Sequence, residues 1–255
     1  MYSEETTLYR AIIIASIIIG NIILYFIVSV IRQQKKFRSL NLQKMAVEIN
    51  TIENERKRVA SDLHDELGAV LSAVKLRLSS IETISETDTK NIHLALSHID
   101  DIIIKIRYIA NDLMPSVLFR KGPVSAISEY IHNFISATGL LVELVPYDMP
   151  QLSQSHQVHI FRILQEIIHN TVKHARAKNL KIEIYTNDND LVILTCDDGI
   201  GFNYEDMKYQ NTGSGLYSIQ TRIDILGGQM HINSRQGHGT RYYIELPLTN
   251  LNEIL

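Results

Sequence analysis

Residues 62–72 read DLHDELGAVLS. The pattern is helical and continues an apolar seam, yet it sets His64 among three carboxylates, those of Asp62, Asp65 and Glu66. A solvated helix face would account for that composition. So would a nucleophile that carries its own base. Upstream, the apolar positions are Leu42, Met45, Ile49, Ile52, Val59 and Leu63, with Arg56 at the intervening seam position. Steps of three and four residues make a heptad. Downstream the seam runs through Leu67, Val70, Val74, Leu78 and Ile81. Two four-residue steps, Val59 to Leu63 and Leu63 to Leu67, fall back to back beside His64. Such a stutter locally unwinds a coiled coil, although ordinary drift of a 3.6-residue helix into a bundle gives the same spacing. Torsion absorbed at this junction would change the exposure of His64.

Working outward, Ser85-Glu86-Thr87-Asp88 interrupts the pattern and offers turn and N-cap residues. A second amphipathic helix follows, with Ile92, Leu96, Ile99, Ile103, Ile106, Ala110 and Leu113 on one face, and Pro115 at or just past its end. Two long helices with one apolar stripe each cannot bury both stripes as a lone hairpin. Two hairpins can, as a four-helix bundle, so the pattern predicts a homodimer. One residue past Leu63, His64 should lie at the bundle's edge in solvent.

Residues 11–31, AIIIASIIIGNIILYFIVSVI, carry no charge. At about 1.5 Å per residue they span roughly 30 Å, the thickness of a bilayer core, and are expected to form a single transmembrane helix. Glu4 and Glu5 precede the run and no small-residue cleavage site follows, which disfavours a signal peptide. Arg32, Lys35, Lys36 and Arg38 follow at once, while only Arg10 precedes. Positive residues stay inside, so the chain beyond residue 31 should be cytoplasmic and only residues 1–10 extracytoplasmic. One cysteine, Cys196, permits no intrachain disulfide. A net charge of −3 gives no basic field for direct nucleic-acid binding.

After Pro123 the texture changes. Helical stretches near 126–139 and 155–174 alternate with strand-like runs at 140–145, 180–186, 191–198, 230–234 and 240–248. This predicts an α+β sandwich, helices over one mixed sheet. Three stretches look chemical. In EIIHNTVKHA, Glu166 and Asn170 share a helix face, with Lys173 and His174 a turn on; a carboxamide oxygen suits Mg²⁺ and a lysine suits phosphate. In DDGIGF, glycines after a strand let backbone approach a ligand, and a fixed carboxylate can accept from an amine. In TGSGL, a helix start presents N–H groups to anions. Neither a Rossmann fingerprint nor a P-loop is present. Taken singly, a solvated polar face or a tight turn would explain each.

Their order is more specific. ERKRVASDLHDELG (55–68) resembles the phosphoacceptor box of a bacterial sensor histidine kinase subfamily. EIIHNTVKHA, DDGIGF and TGSGL resemble the N box and the two glycine boxes of the gyrase-type ATP-binding fold. GQMHINSRQGHGTRYYIELPL resembles the end of that domain, and LMPSVL (113–118) the close of the dimerisation hairpin. The resemblance covers roughly residues 50–248.

The resemblance implies a membrane-anchored enzyme of a two-component system. Its parts would be a tail (1–10), a transmembrane helix (11–31), a coiled-coil linker (32–54), a dimerisation and histidine phosphotransfer domain (55–118) and a catalytic ATP-binding domain (119–255). His64 would be autophosphorylated from Mg-ATP, with Asp65 orienting the ring and Glu166 positioning the attacking group or a water. Asn170 would hold Mg²⁺, and Lys173 and His174 would face phosphate. Asp198 would read the adenine amine with Thr240 near it. Gly199 and Gly201 would start a lid over about 203–212, which Gly213, Gly215 and Leu216 would close on the phosphates. The phosphoryl group would pass to an aspartate in the receiver domain of a separate cytoplasmic response regulator, usually one with a helix-turn-helix output. With so short a segment outside, the stimulus is expected within the bilayer or from a membrane partner. One position departs from the subfamily: Ala69 stands where a Gln commonly orients the water that dephosphorylates the regulator, so phosphatase activity is expected to be weak. Two readings compete with this one. The first is a non-catalytic, nucleotide-gated membrane scaffold. The second is a gyrase-type ATPase with a hydroxyl acceptor on another protein.

Overall fold

The structure is a computed structural model. It describes the backbone of residues 2–81, 85–135, 138–147, 149–203 and 214–251, and side chains from Ile18 to Thr249 apart from Ser214. The chain divides into two units, Met1–Glu48 and Ile49–Leu255. Helix α1 is assigned Tyr2–Asp62. In the first unit its side chains at Ile18, Ile19, Ile22, Ile23, Leu24 and Phe26 are all exposed. Among the described residues no helix is long and apolar enough to cross a membrane. The side chains of residues 11–17, the first third of the expected span, lie outside that description.

In the second unit α1 widens into a π turn over Leu63–Leu67 before α2 (Gly68–Ser79) continues. This is the stretch of back-to-back four-residue steps, where the spacing asks for more residues per turn than a heptad allows. Ser85 caps α3 (Glu86–Leu113) by accepting from the Thr87 N–H at 3.2 Å. A 2.6 Å ion pair from Lys75 Nζ to Asp100 Oδ1 crosses the α2–α3 hairpin. Ile99 and Ala110 are buried on the expected face of α3. Leu67, Val70, Val74 and Ile81, together with Ile102 and Ile109 of α3, stay exposed in the single chain.

Met114 and Pro115 separate α3 from α4 (Ser116–Tyr130), and a further π turn occupies Ile131–Ile135. The sequence pattern places a helix only from residue 126. The helix in fact starts ten residues earlier and breaks at Gly122 (φ +80°), with Pro123 restarting it.

Five strands form one mixed sheet in the order β1-β2-β3-β5-β4, with β1 (Leu141–Pro146) parallel to β2 (Asn179–Asn187). The pairs of β3 (Asp190–Asp197), β4 (Gln229–Ser234) and β5 (Thr240–Pro247) are antiparallel. Period-two alternation turns Leu180, Ile182 and Ile184 of β2, Leu191 and Ile193 of β3, and Tyr242, Ile244 and Leu246 of β5 inward. The residues opposite them come from α4, α5 (Gln154–Asn170) and α6 (Ser214–Ile225), among them Ile127, Phe161, Ile167 and Ile223. Ala60, Ala110, Met114 and Leu118 belong to the same apolar cluster, so the base of the hairpin and the sandwich share a core.

Charge also crosses that junction. Glu53, 6% exposed, accepts from Arg162 Nε at 3.1 Å and Arg222 Nη2 at 2.7 Å. Burial would raise the Glu53 carboxyl, but the two guanidiniums outweigh it and hold it below its usual range. Both arginines are drawn down, by burial first. Two buried positive charges share one carboxylate here. His159, 2% exposed, lies 3.4 Å from Arg222 Nη1 through its Nδ1, and its pKa is pushed down to about 4 by burial and then by the Arg222 charge.

The unfolded chain therefore binds a proton at His159 below about pH 6.5, the folded chain only below about 4. This group leaves stability unchanged above pH 6.5 and lowers it as pH falls from 6.5 to 4, by at most roughly 1.4 kcal/mol per pH unit. Urea unfolding at pH 7.5 and 5.0 should show a larger acid loss in the wild type than in His159→Gln; equal losses would refute this.

Candidate functional site

His64 sits in the π turn with its side chain 68% exposed. Its Nδ1 lies 3.1 Å from Asp65 Oδ1. Ser61 Oγ donates to the other oxygen of Asp65 at 3.0 Å. These hydrogen bonds, that from His64 first, hold Asp65 below the usual carboxylate range. With Nδ1–H donated to Asp65, Nε2 keeps its lone pair toward solvent. Asp62 is engaged elsewhere, accepting from Arg58 Nη1 at 2.9 Å, as a solvated helix face would have it. Ala69 is exposed one turn beyond.

A second group forms where α5 ends. Glu166 and Asn170 are half-buried on one face of α5, and a third π turn, Thr171–Ala175, carries Lys173 and His174 exposed. Asn170 Nδ2 is buried without a partner. Gly215, in the first turn of α6, closes over both residues. A Cβ there would stand 2.2 Å from Glu166 Oε1 and 3.2 Å from each amide atom of Asn170. A helix start thus meets a carboxylate and an unsatisfied carboxamide, with Lys173 and His174 exposed in the turn that follows Asn170, an arrangement suited to a phosphate and its cation. The Asn170 amide oxygen and Glu166 supply the hard oxygen donors that Mg²⁺ prefers, and a nucleotide's own phosphates would supply others. Leu216 is half-buried behind Gly215 and packs on the core.

The end of β3 corrects one expectation. The Asp198 carboxylate, exposed, does not face Thr240. It accepts from the Lys178 and Asn179 N–H groups at 2.8 and 2.9 Å and from Asn179 Nδ2 at 2.7 Å, which lowers its pKa. Asp197 stands beside Thr240 instead. It is 6% exposed, and its Oδ1 accepts from the N–H groups of Gly199 at 2.9 Å and Thr240 at 3.2 Å. Burial, the largest influence, pushes this carboxyl up. The physical reason is strand parity. Leu191, Ile193, Thr195 and Asp197 share the inward face of β3, and Asp198 is already off the strand. The alternation in the sequence could have made that choice.

Gly199 and Gly201 run beneath the turn that precedes β5. Gly201 adopts φ +60°, and a Cβ there would lie 2.1 Å from the Arg235 carbonyl oxygen, so only glycine fits. Gly213 and residues 204–212 of the expected lid lie outside the described residues. The grouping of Glu53, Arg162 and Arg222 was missed in the sequence. Its one signal was Arg162 within the apolar run HIFRIL.

Comparison with known proteins fits this geometry. Residues 55–118 match a family model described as histidine kinase. Residues 155–250 match one described as histidine kinase-, DNA gyrase B-, and HSP90-like ATPase. The oxygen sensor histidine kinase NreB of Staphylococcus carnosus is 26% identical over 225 residues, 86% of this chain and 63% of that protein. The signal transduction histidine-protein kinase/phosphatase DegS of Brevibacillus brevis is 28% identical over 210 residues, 79% of this chain and 53% of that protein. The chain thus spans a little over half the length of these relatives. The histidine kinase domain from Erythrobacter litoralis EL346 blue-light activated histidine kinase superposes with a TM-score of 0.49 at 17% identity, over 73% of this chain and 97% of that one, a likeness too loose to add weight. Two family models in their expected order, on the histidine hairpin and on the nucleotide-sized sandwich, identify the chain as a member of the bacterial two-component sensor histidine kinases.

Proposed function

We propose that this chain autophosphorylates His64 from Mg-ATP and passes the phosphoryl group to an aspartate of a separate response regulator. One observation carries the reading: an exposed histidine whose Nδ1 is held by an ionised neighbour, leaving Nε2 free. Nε2 forms the N–P bond as the P–O bond to ADP breaks. Asp65 stabilises the positive ring by holding its Nδ1 proton. Asn170 and Glu166 support a Mg²⁺–phosphate site beside Lys173 and His174, and the start of α6 at Gly215 supplies N–H groups. Bound Mg²⁺ neutralises phosphate charge. Asp197, rather than Asp198, would accept from the adenine amine, because the Asp198 carboxylate is already bonded to Lys178 and Asn179.

The uncovered apolar faces of α2 and α3 support a homodimeric four-helix bundle. Exposed apolar side chains from Ile18 to Ile31 support a single membrane span over residues 11–31, with the catalytic part cytoplasmic. Exposed Ala69 offers no hydrogen bond to a water, which supports weak phosphatase activity toward the regulator. DegS, by contrast, is named a kinase/phosphatase.

Incubation with γ-labelled ATP and Mg²⁺ should give acid-labile, base-stable label that His64→Ala and Asn170→Ala abolish. Acid-stable label would indicate a hydroxyl acceptor, and ATP binding without label would favour the scaffold. In the same assay Asp197→Asn should weaken ATP binding on the order of tenfold, the worth of a hydrogen bond to a charged group, while Asp198→Asn leaves it nearly unchanged. The half-life of phosphorylated regulator should barely shorten on adding this protein; a large acceleration would refute weak phosphatase activity. Full-length chain should stay with membranes through an alkaline carbonate wash, and release into the supernatant would remove the membrane span.

A further inference from the structure

The carboxylates around His64 have different occupations. Asp62 accepts from Arg58 Nη1 at 2.9 Å, and the same guanidinium donates to Glu55 at 2.6 and 3.0 Å. That charge is matched along the helix, away from the ring. Asp65 is the one that meets the imidazole, Oδ1 to Nδ1 at 3.1 Å. Its second oxygen is occupied as well, because Ser61 Oγ donates to Oδ2 at 3.0 Å. The carboxylate is therefore held from two sides, by the ring it orients and by a hydroxyl one turn earlier.

Ser61 departs from what helical hydroxyls do elsewhere in this chain. Ser39, Ser72, Ser79, Ser125 and Thr171 each turn the hydroxyl back to a carbonyl three or four residues earlier, at 2.7–3.1 Å. Such back-bonding is the local default for a serine or threonine inside a helix. Ser61 reaches forward instead, to a side chain four residues on. It stands in the last regular turn of α1, just before the π turn Leu63–Leu67 that contains both His64 and Asp65. The bond thus ties the widened turn to the regular helix that precedes it.

A hold from two sides matters because an aspartate turns easily. Its last torsion is broad and roughly two-fold, and the Asp65 side chain is 69% exposed, so water competes for both oxygens. With Oδ2 fixed from the preceding turn, Oδ1 stays turned toward Nδ1. Neutral imidazole carries its one proton on either nitrogen. An acceptor fixed beside Nδ1 selects the Nδ1–H form and leaves Nε2 the lone pair that attacks phosphorus. As the N–P bond forms the ring becomes cationic, and the same carboxylate keeps the Nδ1 proton paired. The Ser61 bond is also the second influence, after that of His64, that holds Asp65 below its usual carboxylate range. At an exposed position such a bond adds little to folding; its effect lies in the site.

We propose that Ser61 is a positioning residue for phosphoryl transfer: its hydroxyl fixes the Asp65 carboxylate, which keeps His64 in the Nδ1–H tautomer with Nε2 open to the nucleotide's terminal phosphate. The proposal rests on the kinase reading for its effect on transfer, and on the hydrogen bonds of these three side chains for the tautomer. Ser61 acts through Asp65 and contributes no reacting atom of its own.

The test compares full-length wild type, Ser61→Ala and Ser61→Thr, each labelled with nitrogen-15 at histidine, with His64→Ala to identify the His64 signals. Two quantities are read. One is the fraction of neutral His64 that carries its proton on Nδ1, from the ring nitrogen shifts at alkaline pH. The other is the rate of acid-labile labelling from γ-labelled Mg-ATP as a function of ATP concentration. Ser61→Ala should lower the Nδ1–H fraction and slow labelling at saturating ATP roughly three- to tenfold, well short of losing an acid–base group outright. Half-saturating ATP should stay within about twofold, because nucleotide binding is untouched. Ser61→Thr keeps the hydroxyl and should restore both quantities. An unchanged tautomer fraction in Ser61→Ala would overturn the positioning role. A shifted fraction with an unchanged rate would overturn its consequence for transfer, and equal losses in Ser61→Thr and Ser61→Ala would take the effect away from the hydroxyl. If the wild type does not label, the kinase reading fails, and the tautomer fraction still decides whether Ser61 holds the pair.

Discussion

The buried guanidinium of Arg162 is the tie on which the second unit depends. It donates to Glu53 of α1, to the carbonyl oxygens of Leu113 and Asp112 at the end of α3, and to Gln165 on its own helix. Those carbonyls are among the acceptors that a helix end leaves without internal partners. One planar, permanently charged group with a fork of donors satisfies them together with a carboxylate, which an ammonium could not do as well. Helix α1, the end of α3 and α5 therefore meet at one side chain, with the apolar cluster of Ala60, Ala110, Met114 and Leu118 beside it.

From that tie the functional groups follow by geometry. Helix α5 runs from Arg162 through Glu166 to Asn170, so the helix that anchors the domain also carries the residues proposed to hold phosphate and its cation. Helix α6 does the same from the other side, with Gly215 beside Glu166 and Asn170 and Arg222 two turns further on at the anchor. Among the described residues, two of the three π turns fall at the candidate site residues, around His64 and just after Asn170. Such widened turns recur at functional sites because they re-aim side chains without ending the helix. At His64 the widening follows from the spacing of the apolar seam; after Asn170 it carries the chain toward Arg176, which adopts φ +50°.

The uncovered faces complete the picture. A helical hairpin that leaves Leu67, Val70, Val74, Ile102 and Ile109 in water is unfinished as a monomer. The sandwich, by contrast, buries the faces its sheet and helices turn to each other, with Phe161, Ile182 and Ile244 at 0% exposure.

Much of this was legible in the sequence because periodicity and local chemistry are local properties. The heptad with its back-to-back steps marked the unwound turn at His64. Five short apolar runs marked five strands, and Ser85 marked the start of α3. The resemblance implied that Asp65 orients the His64 ring, and the structure sets its Oδ1 3.1 Å from Nδ1. What the sequence left open depended on parity and long-range packing. Asp197 and Asp198 are chemically identical neighbours, and only the inward face of β3 separates the one beside Thr240 from the one spent on the 178–179 turn. The break at Gly122 needed the tertiary path of α4. Nothing in the sequence around Glu53 sets it apart from the other charges of its helix. Its burial between Arg162 and Arg222, 109 and 169 residues away, was decided by tertiary structure alone, because no local pattern records which distant charges a fold will bring into contact.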